Sequence, residues 1–171
     1  MSLSPLSIES VQMFEAYQGW AMERVFAATR EAGSAISAGI IPGSNGGGTI
    51  HGLLGHIVDA DIHWLNRWLG NERSKLQMPG AWPTVPEVEA AWRADMPRRA
   101  NFFRGLTEEQ LRTEFGFYRG NPETYEREIL WQTILHAHNH ATHHRAEVCA
   151  LLTTVGFAPA SVDMLDYLRG N

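Results

Sequence analysis

His136-Ala137-His138-Asn139-His140-Ala141-Thr142-His143-His144-Arg145 is the stretch on which the reading of the fold turns. Its position along a helix matters more than its density of histidine. An apolar stripe approaches it through Ile129 and Thr133 and leaves it through Val148, Leu151 and Val155. Steps of three and four residues mark one face of a helix. The line joining the two ends passes through His136, His140 and His144. Imidazoles therefore occupy the face on which a helical bundle expects leucine.

Outward from this stretch, the pattern predicts a long helix over about 126–155, with Gly156 as its stop and Pro159 preventing resumption. Ser161 is expected to cap a short terminal helix running through Leu168. Before the long helix, 113–128 does not read as helix. Phe115, Phe117 and the Thr124-Tyr125 pair flank Arg119-Gly120-Asn121-Pro122, which suggests a small hairpin-like excursion.

Three more long helices are expected upstream. The first runs from about Ser4 to Ala32, with Ser4 as cap, Pro5 at the first helical position and Gly33 as stop. Its face carries Val11, Phe14, Tyr17, Ala21, Val25 and Ala28. Thr49 caps the second, which continues to about Leu69 with Leu53, Ile57, Ala60, Trp64 and Trp68 on one stripe. Thr84 opens the third, which carries Val88, Trp92, Met96, Arg99 and Phe103, with Pro97 predicting a kink or break. Thr107-Glu108-Glu109-Gln110 has the pattern of a capping box. Residues 34–48, with Asn45 followed by three glycines, read as a long flexible loop. A crossover with Pro and Gly, 78–86, joins the second helix to the third. Four long amphipathic helices imply one all-α domain over 1–171, a four-helix bundle with a short C-terminal helix.

Composition narrows the function. The formal charge of −5 and the absence of a Lys/Arg run argue against a nucleic-acid partner. No apolar run approaches the length of a membrane span, and residues 1–5 do not open a signal peptide, so a cytoplasmic protein is expected. The single cysteine, Cys149, excludes an intramolecular disulfide and a thiolate cluster. It reads as a small buried hydrophobe. The glycines at 46–48 lack the Lys-Ser/Thr continuation of a phosphate-binding loop.

The histidine stripe carries the chemistry. Burying an imidazole without a partner costs roughly 1–3 kcal/mol, and a metal ion satisfies several at once. Residues four apart share a helix face, so His140 with His144, or His136 with His140, can converge on one ion. The second helix offers His51, His56 and His63 as a third ligand, and spacing alone does not choose among them. Three histidines suit Zn, Ni, Co or Fe(II), not Mg or Ca. Asp59 or Asp61 could orient an imidazole, although carboxylates at such positions more often are solvated or pair with arginine. Glu147 reads as a surface residue. The tryptophans Trp64, Trp68, Trp82, Trp92 and Trp131 read as core aromatics, some of which could line a pocket beside the ion. A ferritin-like di-iron site is disfavoured, because no Glu stands three residues before His56, His140 or His144.

Asn139-His140-Ala-Thr-His143-His144-Arg145 resembles a helix-four motif of the DinB/YfiT-like metalloprotein superfamily. Leu54-Gly55-His56-Ile57-Val58-Asp59-Ala60, followed by His63-Trp64-Leu65, is similar to its helix-two motif. The tail from Cys149 through Gly156, with Pro159, Asp163 and Asp166-Tyr167-Leu168, also resembles that family. The resemblance implies His56, His140 and His144 as metal ligands and leaves His51, His63, His136, His138 and His143 outside the set. Where members commonly continue Arg-Gly-Gln, this chain reads Arg145-Ala146-Glu147. The resemblance further implies a helical bundle, often a homodimer, with zinc or nickel, and relatives that are thiol-dependent transferases. The expectation is a metal-dependent enzyme acting on a small electrophile through a water or a low-molecular-weight thiol. The competing expectation is a non-catalytic bundle with a structural or sensory metal. No residue presents itself as the catalytic base.

Overall fold

A computed structural model describes residues 6–37, 40–77 and 81–170. Among the described residues the chain is mostly helical, with one small two-stranded sheet. Helix α1 spans Ile8–Ala32 and α2 spans Ile50–Trp68. Helix α3 spans Val85–Gly105, and the short α4 spans Glu108–Leu111. Strands β1 (Glu114–Arg119) and β2 (Thr124–Ile129) follow. Helix α5 covers Leu130–Thr154 and α6 covers Met164–Leu168.

The ends of these helices follow from local chemistry. Ser7 caps α1 by accepting a hydrogen bond from Ser10 N, and Gly33 ends it at φ 52°. The expected cap at Ser4 and Pro5 lies outside the described residues. Thr49 caps α2, accepting from Gly52 N at 3.0 Å. Thr84 and Glu87 form a reciprocal capping box on α3, and Thr107 and Gln110 form another on α4.

Two boundaries differ from the sequence expectation. The hairpin takes residues up to Ile129, because β1 pairs antiparallel with β2 from Glu114 opposite Ile129 to Arg119 opposite Thr124. The long helix therefore begins at Leu130, not near Glu126. The terminal helix is capped by Asp163, whose carboxylate accepts from Leu165 N at 2.7 Å. Ser161 instead hydrogen-bonds Asp166. Pro97 does not interrupt α3. It and Arg93, whose carbonyl loses its partner, both face solvent, where water can take the place of the missing N–H.

Helix α2 packs against α5 and α3, and α1 packs against the same two helices. Two apolar clusters form the core. One gathers Met22, Phe26, Leu53, Ile57, Val88 and Leu152. The other gathers Val11, Phe103, Leu111, Leu130, Trp131 and Ile134. Along each long helix a polar layer separates the two. Arg99, 3% exposed, donates to both Glu15 carboxylate oxygens at 2.9 and 2.6 Å and lies 3.5 Å from Asp61. Arg145, 1% exposed, donates to Gln18, to Tyr17 at 3.1 Å and to Thr142 at 3.1 Å. Burial pushes the Asp61 carboxyl up to about 6, only partly opposed by Arg99.

Removing one partner of a buried pair leaves a charge that protein cannot solvate. Glu15→Ala is expected to lower unfolding free energy by about 3 kcal/mol, the low end of the usual range because Asp61 still faces Arg99. Urea denaturation of both proteins at neutral pH checks it, and an unchanged midpoint would contradict the role given to the pair.

Candidate metal centre

The seam between α2 and α5 brings His56, His140 and His144 together. Each offers one ring nitrogen, and the three atoms lie within 4.8 Å of one another. His56 Nε2 and His140 Nε2 are 3.0 Å apart. The His56 ring lies 4.9 Å from each of the other two, and His140 and His144 are 4.6 Å apart, one turn along α5. The rings meet edge to face, which is how imidazoles that share a central point approach one another.

Hydrogen bonds define the tautomer of His144. Its Nδ1 lies 2.6 Å from Glu147 Oε2, so it carries the proton and donates. Its Nε2 then holds a lone pair, to which the Asn45 side-chain amide donates at 3.2 Å. Ser44 Oγ donates to the other Glu147 oxygen at 2.9 Å. Hydrogen bonding from His144 holds the Glu147 carboxyl below its ordinary range. Burial, with the neighbouring His144 adding to it, lowers the basicity of His56. The same causes push His140 down to about 4. Both rings are thus neutral at neutral pH and keep a lone pair for a ligand. The donor set, the convergence and the protonation all fit a divalent transition metal.

The loop ahead of α2 reaches the site because it sits against the backbone of that helix. Residues Asn45–Gly48 form a tight turn, with Gly46 and Gly47 in the left-handed region, rather than an open loop. At Gly46, φ is 62°, and a Cβ would stand 2.1 Å from the Gly52 carbonyl. At Gly52 a Cβ would stand 1.8 Å from the Gly46 oxygen. Glycine at both positions is what lets Ser44 and Asn45 face α5.

The other histidines are placed elsewhere. His136 is exposed, with its ring 5.6 Å from Trp64 and 6.1 Å from His140. His51 Nε2 meets the Trp82 carbonyl at 2.7 Å, and His63 Nδ1 meets Ser74 Oγ at 3.2 Å. His138 is buried between Phe14 and Phe103, with Glu15 3.8 Å away. His143 is two-thirds exposed and lies 3.9 Å from Glu147. With His144 and Glu147 it makes a second group whose ligand atoms lie within 4.8 Å of one another.

Asp61 pairs with Arg99, as carboxylates at such positions usually do, and Asp59 accepts from Gln77 N at 2.8 Å. Cys149 packs against the core, and burial raises its thiol, so it is a poor nucleophile. Sequence reasoning passed over Ser44 and Asn45 and took Glu147 as a surface residue. The three-residue step from His144 to Glu147 was the available signal.

A cavity of about 1020 Å3 opens from His56 and His140 toward the hairpin. Trp64, Phe117, His136 and Arg67 are among its walls. Trp64 therefore lines a pocket, whereas Trp92 and Trp131 are core residues.

A family model described as DinB family matches residues 10–171. No curated protein matches the chain.

Burial holds His63 and His138 each down to about 4, against an ordinary 6.5. The unfolded chain therefore takes up protons that the fold refuses. Their stabilisation is complete above pH 6.5 and is lost as pH falls toward 4, at about 1.4 kcal/mol per pH unit for each such histidine. Urea midpoints at pH 7, 5.5 and 4.5 should fall steadily in the wild type and less steeply in His63→Asn. Equal slopes would show that His63 titrates normally in the fold.

Proposed function

The chain belongs to the DinB family over nearly its whole length, and we propose that it is a four-helix-bundle metalloenzyme in which His56, His140 and His144 hold one divalent ion. One observation carries the reading. Three imidazole nitrogens, one from α2 and two from α5, converge on a point at the head of a cavity large enough for a small molecule. The family's association with metal binding agrees with it. Nitrogen donors favour zinc or nickel, and three protein ligands leave positions open. When bound, such an ion supplies Lewis acidity, which lowers the pKa of a water or thiol and polarises an electrophile.

The chain's own residues orient and enclose. Glu147 accepts a hydrogen bond from His144 Nδ1–H and so leaves the lone pair on the opposite nitrogen. Ser44 steadies Glu147 from the loop. Trp64 and Phe117 give the cavity an apolar wall that displaces water from a seated substrate. The reaction class is attack by a water or a low-molecular-weight thiol on a small electrophile in that cavity.

Elemental mass spectrometry on untagged protein tests the site. Wild type should carry about one equivalent of zinc or nickel, and both His56→Ala and His140→Ala should lose it. No metal above background in wild type, even after reconstitution, would sink the reading. Activity of the loaded protein toward generic electrophiles, with and without a thiol, separates an enzyme from a bundle whose metal is only structural.

A second expectation concerns Glu147. Glu147→Gln keeps the shape but weakens the acceptor for His144. Metal affinity should drop about 10- to 100-fold with little change in thermal stability of the metal-free protein. Unchanged affinity in a chelator competition would remove Glu147 from the site.

A further inference from the structure

Among the described residues, Arg67 is the one cation lining the cavity that has no carboxylate in ion-pair contact. It is 6% exposed. Its Nη2 donates to the Tyr118 carbonyl at 2.7 Å, and its Nε is buried with no hydrogen-bond partner. The guanidinium lies 4.3 Å from the centre of the Phe117 ring and 5.1 Å from that of Trp64. Lys75 and Arg119 also reach the cavity, but each has an acid. Lys75 lies 2.9 Å from Glu123, and Arg119 lies 3.6 Å from Glu126.

A buried charge that is not paired within the protein is costly. The aromatic faces and the last carbonyls of α2 offset part of that cost, and neither completes a planar guanidinium, which has five N–H donors. Burial, followed by the repulsion of Arg119, pulls the Arg67 pKa down, and Glu126 does not restore it. The residue is therefore held in a cationic state that an incoming anion would favour.

Arg67 also has a defined relation to the histidines. It lies eleven residues after His56 on α2, about three turns, so both fall on one face about 16 Å apart along the axis. Both line the same cavity, with His63 and Trp64 between them. A ligand that engages both ends must be elongated, apolar in its middle and anionic at one end.

We propose that Arg67 is an oxyanion-binding residue that seats the carboxylate or phosphate of an elongated, partly aromatic small molecule, whose body lies on Trp64 and Phe117 and whose other end faces the three histidines. The anion assignment rests on the Arg67 surroundings alone. The orientation of the ligand rests on the metal reading given above.

The probes are benzoate, phenyl phosphate and the neutral benzamide, titrated by calorimetry into metal-stripped and metal-reconstituted protein. At least one oxyanion should bind wild type in both states, and the better of the two identifies the anion. Benzamide should bind at least about tenfold more weakly, the scale of a lost charge-assisted hydrogen bond. Arg67→Gln should weaken the oxyanion by a similar factor while its metal content matches wild type. Arg67→Lys, which keeps the charge without the planar fork, should fall between the two.

Binding of the better oxyanion to wild type no tighter than that of benzamide would overturn the proposal, even if Arg67→Gln fails to fold. So would undiminished oxyanion binding in a folded Arg67→Gln, or no oxyanion binding to wild type in either state. Binding confined to the metal-reconstituted form would also overturn it, because the anion would then be sitting on the ion. Failure of the metal reading shows separately, as a wild type that takes up no metal yet still binds the oxyanion after stripping.

Discussion

The burial of imidazole along the α2–α5 seam is the constraint around which the rest is arranged. A bundle normally seals such a seam with aliphatic side chains. Here His56, His140 and His144 stand on it, and each needs a partner for every nitrogen removed from water. The structure answers with a dense set of contacts. His56 faces His140, and His144 is held at both nitrogens by Glu147 and Asn45. A core built to maximise apolar burial would not set His144 beside His56 and His140, where it adds to the burial that lowers the basicity of those two rings. The arrangement makes sense when the nitrogens share a further partner.

Helix α5 meets a second polar demand on its other side. His138 and Arg145 point into the layer made by Tyr17, Gln18, Glu15, Asp61 and Arg99. Successive residues on a helix are about 100° apart, so positions 138 and 145 face away from 140 and 144 within the same two turns. The helix thus serves two polar neighbourhoods and keeps Ala137, Ala141 and Val148 for apolar packing between them. Buried ion pairs are weak sources of net stability. Their consequence here is positional, since a layer that needs Glu15, Asp61 and Arg99 in register ties α1, α2 and α3 to one level beside the histidines.

Much of this was legible in the sequence. The periodic faces of the four long helices, the caps at Thr49, Thr84 and Thr107, and the hairpin before α5 all follow from local patterns, and local patterns act before tertiary structure does. The histidine stripe was legible because imidazole interrupted an otherwise apolar period. The DinB resemblance, which the family match bears out, selected His56 where spacing left three candidates. What stayed hidden was the partnership across the fold. Ser44 and Asn45 lie about 100 positions from Glu147 and His144. Nothing in the loop's composition says which helix it faces. The polar layer was hidden for the same reason. Arg99 falls in the periodic set of the third helix, but nothing in the sequence names Glu15 of α1 as its partner.

The loop that reads as the least structured segment is what finishes the site. Ser44 and Asn45 contact the two ends of one polar unit, Glu147 and the His144 imidazole, so the loop governs both the rotation of that ring and which of its nitrogens keeps the lone pair. His56 and His140 have no such dependence, because helix packing alone brings them together. Two of the three nitrogens are thus rigidly presented, and the third is set by the contact of Gly46 with Gly52, where a single Cβ on either would push the loop away. Regular helices supply the durable part of the centre, and a close glycine contact supplies the adjustable part. Changes in the loop will therefore act on His144 first and will leave the α2–α5 pair in place.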